Sequence, residues 1–245
     1  MWCRVRPTLR RVPNLHPRLQ WLALAVAATA GLAWGADTLL AARAEAHISD
    51  LIPADTTPRV SIAGFPFVTS ALQEGVAHIQ VSLIDTDTSL GPVNVTTTAH
   101  DVQGPTDSLL DGRLDGLVGY TVSRSATIDA AALGRLLGMP DMDISNPTDI
   151  SPGAAPLPQA QLRGTPPGCT EPVTVLADLR VRDHIVSIEP ATTPSCGAAA
   201  FRWSAPADTL PVVGTANSLW VRGGSLFLDS GINTPTPLSP ELFTP

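Results

Sequence analysis

The chain has 245 residues, of which 44% are hydrophobic and 15% charged, enough to build one large folded domain or two small ones. It contains no lysine, which excludes a Walker-type phosphate loop and a Schiff-base mechanism. Five of the 15 arginines lie in the first 18 residues, whereas all 22 acidic residues lie at or after Asp37, so the chain from there onward carries a net charge of −12. Such a region repels phosphates, and we expect no nucleic-acid partner.

The N-terminal segment has the pattern of an export signal. Residues 1–18 are arginine-rich, and residues 19–36 form an apolar run that would span about 27 Å as a helix, just short of the bilayer core of roughly 30 Å. The arginines predict that residues 1–18 stay in the cytoplasm and that the bulk of the chain lies outside. Two outcomes fit: an uncleaved signal anchor in the cell membrane, or a signal peptide cut after Ala30 and secretion to the cell envelope.

Export bears on the cysteines, because it leaves Cys169 and Cys196 as an even pair outside the cytoplasm. A disulfide between them would close a long loop and stabilise the fold by about 3.5 kcal/mol in the chain-entropy model. Metal binding is the alternative, but two cysteines without a nearby histidine pair make an incomplete site. We therefore predict a disulfide, and neither a metal nor another cofactor.

The first predicted element outside the membrane is a helix over residues 37–51, which contain no proline or glycine. Helical spacing places Leu40, Ala44, Ile48 and Leu51 on one face, and Pro53 ends the pattern. We expect this apolar stripe to pack against the folded domain.

A stiff segment follows at Phe65-Pro66-Phe67, where two of the 11 aromatic residues flank a proline. The residue before proline favours an extended backbone, and Pro66 fixes its own φ. The pattern predicts two rings held on an extended segment that leads directly into a strand after Gly75.

Alternating apolar residues predict most of the remaining elements as strands. A short helix over Asp129–Gly138 is predicted from Asp129 as its N-cap and Gly138 as its end. Seven prolines predict a long surface insertion at residues 140–168, and four more predict a disordered tail at residues 230–245. The predicted strands cover residues 76–84, 93–99, 117–123, 173–181, 185–188, 218–222 and 225–229. The fold class is therefore α+β with an extended antiparallel sheet.

Two segments carry a resemblance to a known family. Gly64-Phe65-Pro66-Phe67-Val68-Thr69-Ser70 resembles the signature of the LmeA-like phospholipid-binding family, whose usual form has leucine and glutamine where this chain has Val68 and Ser70. Leu210-Pro211-Val212, followed by a strand, Gly223-Gly224 and a second strand, is similar to the closing pattern of that family. The resemblance covers most of residues 37–229, the predicted lipid-binding domain, while the proline-rich insertion is less typical.

The resemblance implies a curved antiparallel sheet in a tubular, lipid-transfer-like (TULIP-like) fold. The residues themselves predict no enzymatic activity, because the five histidines are isolated and there is no Gly-x-Ser-x-Gly nucleophile motif. The resemblance also implies a phospholipid ligand of the phosphatidylinositol type and a supporting role in the biogenesis of envelope lipoglycans. Because the region carries a net charge of −12, we expect a nearby arginine to help hold an anionic head group: Arg59, Arg113, Arg124 or Arg135.

Inward-facing apolar side chains would then contact acyl chains, although alternation alone fits a filled core equally well. The residues predicted to bind lipid are Phe65, Pro66, Phe67, Val68, Ile79, Val81, Leu83, Val93, Val95, Val175, Leu179 and Ile188.

Two other functions are kept open. A non-enzymatic β-rich envelope domain would bind a protein or glycan partner and have no lipid cavity. A metal-dependent glycosyl transferase would use the Asp-x-Asp triplets at Asp85–Asp87 and Asp141–Asp143, which are weak signals among 22 acidic residues.

Overall fold

A computed structural model describes residues 17–148, 157–192 and 196–245. Most of the predicted cytoplasmic segment 1–18 and the middle of the proline-rich insertion lie outside the described residues. The strands, in chain order, are β1 (Arg59–Ala63), β2 (Gly75–Thr88), β3 (Gly91–Gln103), β4 (Val118–Asp129), β5 (Asp143–Ser145), β6 (Gln159–Gly164), β7 (Val173–Arg182), β8 (Ile185–Pro190), β9 (Trp203–Pro206), β10 (Thr215–Arg222), β11 (Ser225–Ile232) and β12 (Thr236–Pro237). The helices are α1 (Pro17–Leu51), α2 (Phe67–Leu72), α3 (Thr106–Asp111) and α4 (Ala130–Leu137).

Two antiparallel sheets form the body of the protein. The larger sheet has the order β1-β2-β3-β4-β11-β10, and β12 continues the edge of β4 beyond β11. The smaller sheet has the order β5-β6-β7-β8-β9. Because β1 and β10 remain edge strands, the larger sheet is extended but does not close into a barrel. The predicted α+β class with a long N-terminal helix and an extended antiparallel sheet is confirmed.

Helix α1 joins the predicted apolar run and the predicted juxtamembrane helix into one element of 35 residues, about 52 Å long. It ends before Pro53, as predicted. Ala44 and Ile48 of the predicted stripe are buried, whereas Leu40 and Leu51 are 38% and 39% exposed. The packed face is rotated toward Asp37, which is 7% exposed, because that side chain bonds to the folded domain.

Several local predictions are confirmed by the backbone. The Asp129 carboxylate accepts a hydrogen bond of 2.7 Å from the Ala132 amide at the start of α4, and Gly138 ends that helix with φ 71°. Gly223 and Gly224 both have positive φ in the turn between β10 and β11, as a two-residue hairpin turn requires. Each of these motifs is formed by residues only a few positions apart, so it can be predicted from the local sequence.

The proline-rich segment 140–168 is not simply a surface insertion, and this prediction was wrong for its two ends. β5 and β6 both lie within it, and β6 pairs with β7 over its whole length. Ala160 and Leu162 are fully buried. The adjacent prolines lie outside β6, so they leave its ladder of hydrogen bonds intact.

The predicted disorder of residues 230–245 was also wrong. This segment finishes β11, forms β12 and ends in a 3₁₀ helix over Pro240–Phe243. Leu238 and Phe243 are buried, and the buried Arg124 donates a hydrogen bond of 2.7 Å to the Leu242 carbonyl. Two apolar anchors and one guanidinium therefore order a segment whose composition resembles a disordered tail.

The buried apolar side chains form two clusters. The inter-sheet core contains side chains from both sheets and α4, including Val95, Ile128, Leu133, Leu162, Val175, Ile188 and Leu226. The helix-side core lies beneath α1, α2 and α3 and the C-terminal segment, and includes Ala44, Ile48, Phe67, Ile79, Val81, Val102, Leu109 and Phe243.

Cys169 and Cys196 are joined by a disulfide. Replacing both by alanine should lower the free energy of unfolding by about 3.5 kcal/mol, because the bond restricts the unfolded chain between them. Urea denaturation of the double variant measures this change, with the reduced wild-type protein as the matched comparison. Equal stability of the oxidised and reduced wild-type protein would contradict it.

Phe243→Ala should lower the free energy of unfolding by about 3–5 kcal/mol, since its ring is fully buried. Phe65→Ala removes the same ring from a site that is 72% exposed and should change stability by less than about 0.5 kcal/mol. Chemical denaturation of the two variants compares them directly. A loss in Phe243→Ala as small as that in Phe65→Ala would show that the C-terminal segment is not part of the core.

Candidate functional site

The side chain of Asp37 connects the long helix to the Phe-Pro-Phe segment. Its Oδ2 accepts a hydrogen bond of 2.9 Å from the Phe67 amide, and its Oδ1 accepts one of 2.8 Å from the Val68 amide. The first amides of a helix have no partner within the helix, and a carboxylate is a favourable acceptor there. Asp37 thus caps α2 from a position 30 residues earlier in the chain, and it is largely buried while doing so.

The backbone of the Phe-Pro-Phe segment leads into α2 without a side-chain cap of its own. Pro66 is extended, with φ −65° and ψ 137°, and no side chain of the motif caps α2. Gly64 passes close to the helix, where a Cβ atom would lie 3.0 Å from Ser70 Oγ. The predicted extended backbone is present at Pro66. The segment does not lead directly into a strand, because α2 begins at Phe67 and intervenes before β2.

The two rings of the motif face different surroundings. Phe67 is 1% exposed and belongs to the helix-side core. Phe65 is 72% exposed. The switch from extended to helical backbone separates the two rings. Phe67 therefore anchors the motif to the domain, and Phe65 remains available to a ligand or a membrane.

An open groove lies between α1 and the Phe-Pro-Phe segment; we call it the α1–α2 groove. Its volume is about 540 Å³. The lining is apolar apart from Asp37, whose carboxylate is already bonded to two amides, and Thr69. The lining residues are Ala30, Ala33, Trp34, Ala36, Asp37, Leu40, Phe65, Pro66, Val68 and Thr69.

The groove continues along α1 toward its N-terminus. A second apolar depression of about 510 Å³ shares Ala30 and Ala33 with it and extends to Leu22. Together the two form one apolar track on the surface of the helix.

The part of α1 that carries this track is exposed. Within the described chain, α1 is the one helix that is long and apolar enough to cross a membrane by length and composition. Six large apolar side chains are each between 61% and 76% exposed: Trp21, Leu22, Leu24, Val26, Leu32 and Trp34. These side chains are largely exposed, while the helix beyond Asp37 packs on the domain through Ala44 and Ile48.

The twelve residues predicted to contact lipid fall in three places. Phe65, Pro66 and Val68 line the α1–α2 groove. Phe67, Ile79, Val81 and Leu83 lie in the helix-side core. Val93, Val95, Val175, Leu179 and Ile188 lie in the inter-sheet core. The nine core residues are at most 4% exposed and pack against other side chains.

The α1 wall of the groove was not predicted from the sequence. Ala30, Ala33, Asp37 and Leu40 recur at helical spacing, and Asp37 is the first acidic residue after the apolar run. That spacing was a usable signal, but it does not reveal which distant segment faces the helix.

The four arginines proposed for a head group also have different roles. Arg113 forms an ion pair of 2.7 Å with Asp107. Arg124 is buried and donates a hydrogen bond of 2.9 Å to Thr97 Oγ1. Burial lowers the pKa of Arg124 to about 10, so it remains charged at neutral pH. Arg59 and Arg135 are exposed.

The Asp-x-Asp triplets hold local structure. Asp85 lies at an irregularity of β2 with φ 52°, and its amide donates to Asn94 Oδ1. Asp141 accepts hydrogen bonds from the hydroxyl and the amide of Thr165, and these bonds lower the pKa of Asp141. Among the described residues, no group of three or more His, Cys, Asp or Glu side chains could hold a metal ion.

A family model described as LmeA-like phospholipid-binding matches residues 27–230. The match begins in the apolar part of α1 and includes both walls of the α1–α2 groove, the smaller sheet and all of the larger sheet except β12 and the end of β11. The family is defined by phospholipid binding and is not an enzyme family. No curated protein and no solved structure matches the chain significantly. The extent of the family match, together with the α+β fold, establishes that the chain belongs to the LmeA-like phospholipid-binding family.

Proposed function

We propose that the protein is held in the cell membrane by residues 19–36, with its folded domain outside, and that it binds phospholipid at the α1–α2 groove. The observation that carries this proposal is the continuity of the groove with the exposed apolar face of α1. A lipid could pass from the bilayer into the groove along that face without leaving an apolar surface.

The position of the groove along α1 supports the proposal. Residues 19–36 of a helix span about 27 Å, so Asp37 would lie where the helix leaves the bilayer core. Trp34 lies just before this point, and tryptophan is favoured at membrane interfaces. Because Asp37 bonds to Phe67 and Val68, the exposed ring of Phe65 would lie at the same level.

The dimensions of the groove suit part of an acyl chain. Its volume of about 540 Å³ lies within the usual range for small-molecule sites. Each buried methylene contributes about 0.8 kcal/mol, so six methylenes would contribute about 5 kcal/mol. We propose that the lipid bound in this groove is of the phosphatidylinositol class, as the resemblance implies. We also propose that the protein supports the biogenesis of envelope lipoglycans by binding it.

The strand residues predicted to contact acyl chains would then support the site instead of lining it. Their packing in two filled cores also fits the alternative, an envelope domain that binds a protein or glycan partner. The α1–α2 groove favours lipid binding over this alternative, which offers no ligand for the apolar lining. If the signal is instead cleaved after Ala30, the membrane anchor would be lost, whereas most of the groove would remain, since all of its lining residues except Ala30 follow that position.

Phe65→Asp should reduce lipid binding several-fold, because it places a charge beside the acyl chain. The full-length protein in lipid nanodiscs would be exposed to a phospholipid with a photoreactive group in its acyl chain, and labelled residues identified by mass spectrometry. We expect labels at Trp34, Phe65 and Val68 in the wild-type protein.

The matched control is Ile185→Asp, which changes an apolar residue that is 48% exposed at the turn between β7 and β8. It should leave labelling unchanged. Labels concentrated in the strands of either core, or full labelling of Phe65→Asp, would rule out the groove as the binding site.

Asp37→Ala should lower the free energy of unfolding by about 1–2 kcal/mol, because two amides of α2 lose their acceptor. It should also reduce labelling of Phe65 and Val68, since the groove loses the bonds that join its walls. Asp50→Ala, an exposed position on the same helix, should change stability by less than about 0.5 kcal/mol. Equal stability of the two variants would show that the cap contributes little.

A further inference from the structure

We propose that Arg43 binds the phosphate group of the phospholipid whose acyl chain occupies the α1–α2 groove. This inference rests on the proposed function. It adds a phosphate-binding residue at one end of the groove and so defines the orientation of the bound phospholipid. The acyl chain points toward the bilayer and the phosphate points away from it.

The position of Arg43 follows from the helix. Ala36 and Leu40 line the groove, and Arg43 comes at the next position of the same spacing, i, i+4, i+7. It lies one turn beyond Leu40, about 4.5 Å farther along the axis and away from the apolar segment. A lipid in the groove would therefore meet apolar side chains first and this guanidinium next. The order matches that of an acyl chain followed by its phosphate.

Arg43 is also available for an anion. It is the one arginine between Asp37 and the end of α1, its side chain is exposed, and it forms no ion pair or hydrogen bond with another described residue. Arginine binds phosphate oxygens through two parallel hydrogen bonds, which a lone exposed guanidinium can offer.

The acidic side chains near Arg43 on α1 already accept hydrogen bonds from the domain. Asp37 accepts from the amides of Phe67 and Val68. Glu45 Oε1 accepts a bond of 2.9 Å from the Ile62 amide. One turn beyond Arg43, the His47 ring pairs with the Asp111 carbonyl at 2.6 Å. These bonds hold both carboxylates toward the domain, so Arg43 provides a local positive charge in a region whose overall charge is −12.

The site so composed recognises one phosphate beside one apolar chain. It contributes to binding of phosphatidic acid and of larger glycerophospholipids, whose phosphate is in the same place. It contributes nothing to binding of diacylglycerol, which has the same chains and no phosphate. The ratio of phosphatidic acid to diacylglycerol binding therefore measures the contribution of Arg43 separately from that of the groove.

The test uses the full-length protein in nanodiscs of zwitterionic lipid, with photoreactive phosphatidic acid and the matched photoreactive diacylglycerol as probes. In the wild-type protein we expect groove residues to be labelled more by phosphatidic acid. Arg43→Gln should reduce the ratio of the two labelling yields about tenfold, as expected for loss of a charged hydrogen bond. Arg43→Lys should restore part of it, because lysine keeps the charge but not the paired geometry.

Arg182→Gln, an exposed arginine at the turn between β7 and β8, is the control for a general effect of charge and should leave the ratio unchanged. An unchanged ratio in Arg43→Gln, with groove labelling still lost in Phe65→Asp, overturns the phosphate site and leaves the proposed function intact. Absence of groove labelling by either probe in the wild-type protein overturns the proposed function and this inference with it. An equal loss in Arg182→Gln shows that net charge, and not Arg43, sets the ratio.

Discussion

The pair of hydrogen bonds from Asp37 to the amides of Phe67 and Val68 determines how the candidate site is assembled. A carboxylate just after an apolar run would ordinarily face water. Here it is buried against the first turn of α2, where the free amides offset the loss of hydration. The bonds fix the axial position of α1 relative to the domain. They also bring the exposed ring of Phe65 beside Trp34 and Leu40 in one groove.

This arrangement separates the stability of the protein from its proposed ligand binding. Both sheets are supported by cores in which strand residues such as Ile79, Val81, Val175 and Ile188 are almost fully buried. Native cores are packed too densely to admit an acyl chain without rearrangement. The α1–α2 groove lies outside both clusters and is open, so a ligand can enter it without disturbing either core. A phospholipid-binding site at the edge of the domain, next to the membrane, is consistent with both facts.

The sequence predicted correctly those elements that are formed by contacts between residues close together in the chain, and failed for those held by distant contacts. The N-cap of α4 at Asp129 and the Gly223-Gly224 turn follow from contacts within a few residues, and the sequence predicted both. The C-terminal segment was predicted to be disordered because its prolines are visible in the sequence. Its order depends on distant parts of the chain: Phe243 packs in the helix-side core, and Arg124, which precedes Leu242 by 118 residues, donates to the Leu242 carbonyl. Composition carries no information about such partners.

The sequence by itself determined the α+β class, the long apolar N-terminal helix, the disulfide pair and, through two motifs, the family. These properties depend on periodicity, charge distribution and short motifs, which the order of residues shows directly. Only the tertiary structure decided that Phe65 and Phe67 have different surroundings and that Asp37 caps a helix 30 residues ahead of it. The reason is that the groove is formed by two segments about 30 residues apart in the chain. The sequence contains the residues of both segments, but long-range packing and hydrogen bonds decide that these two segments lie side by side.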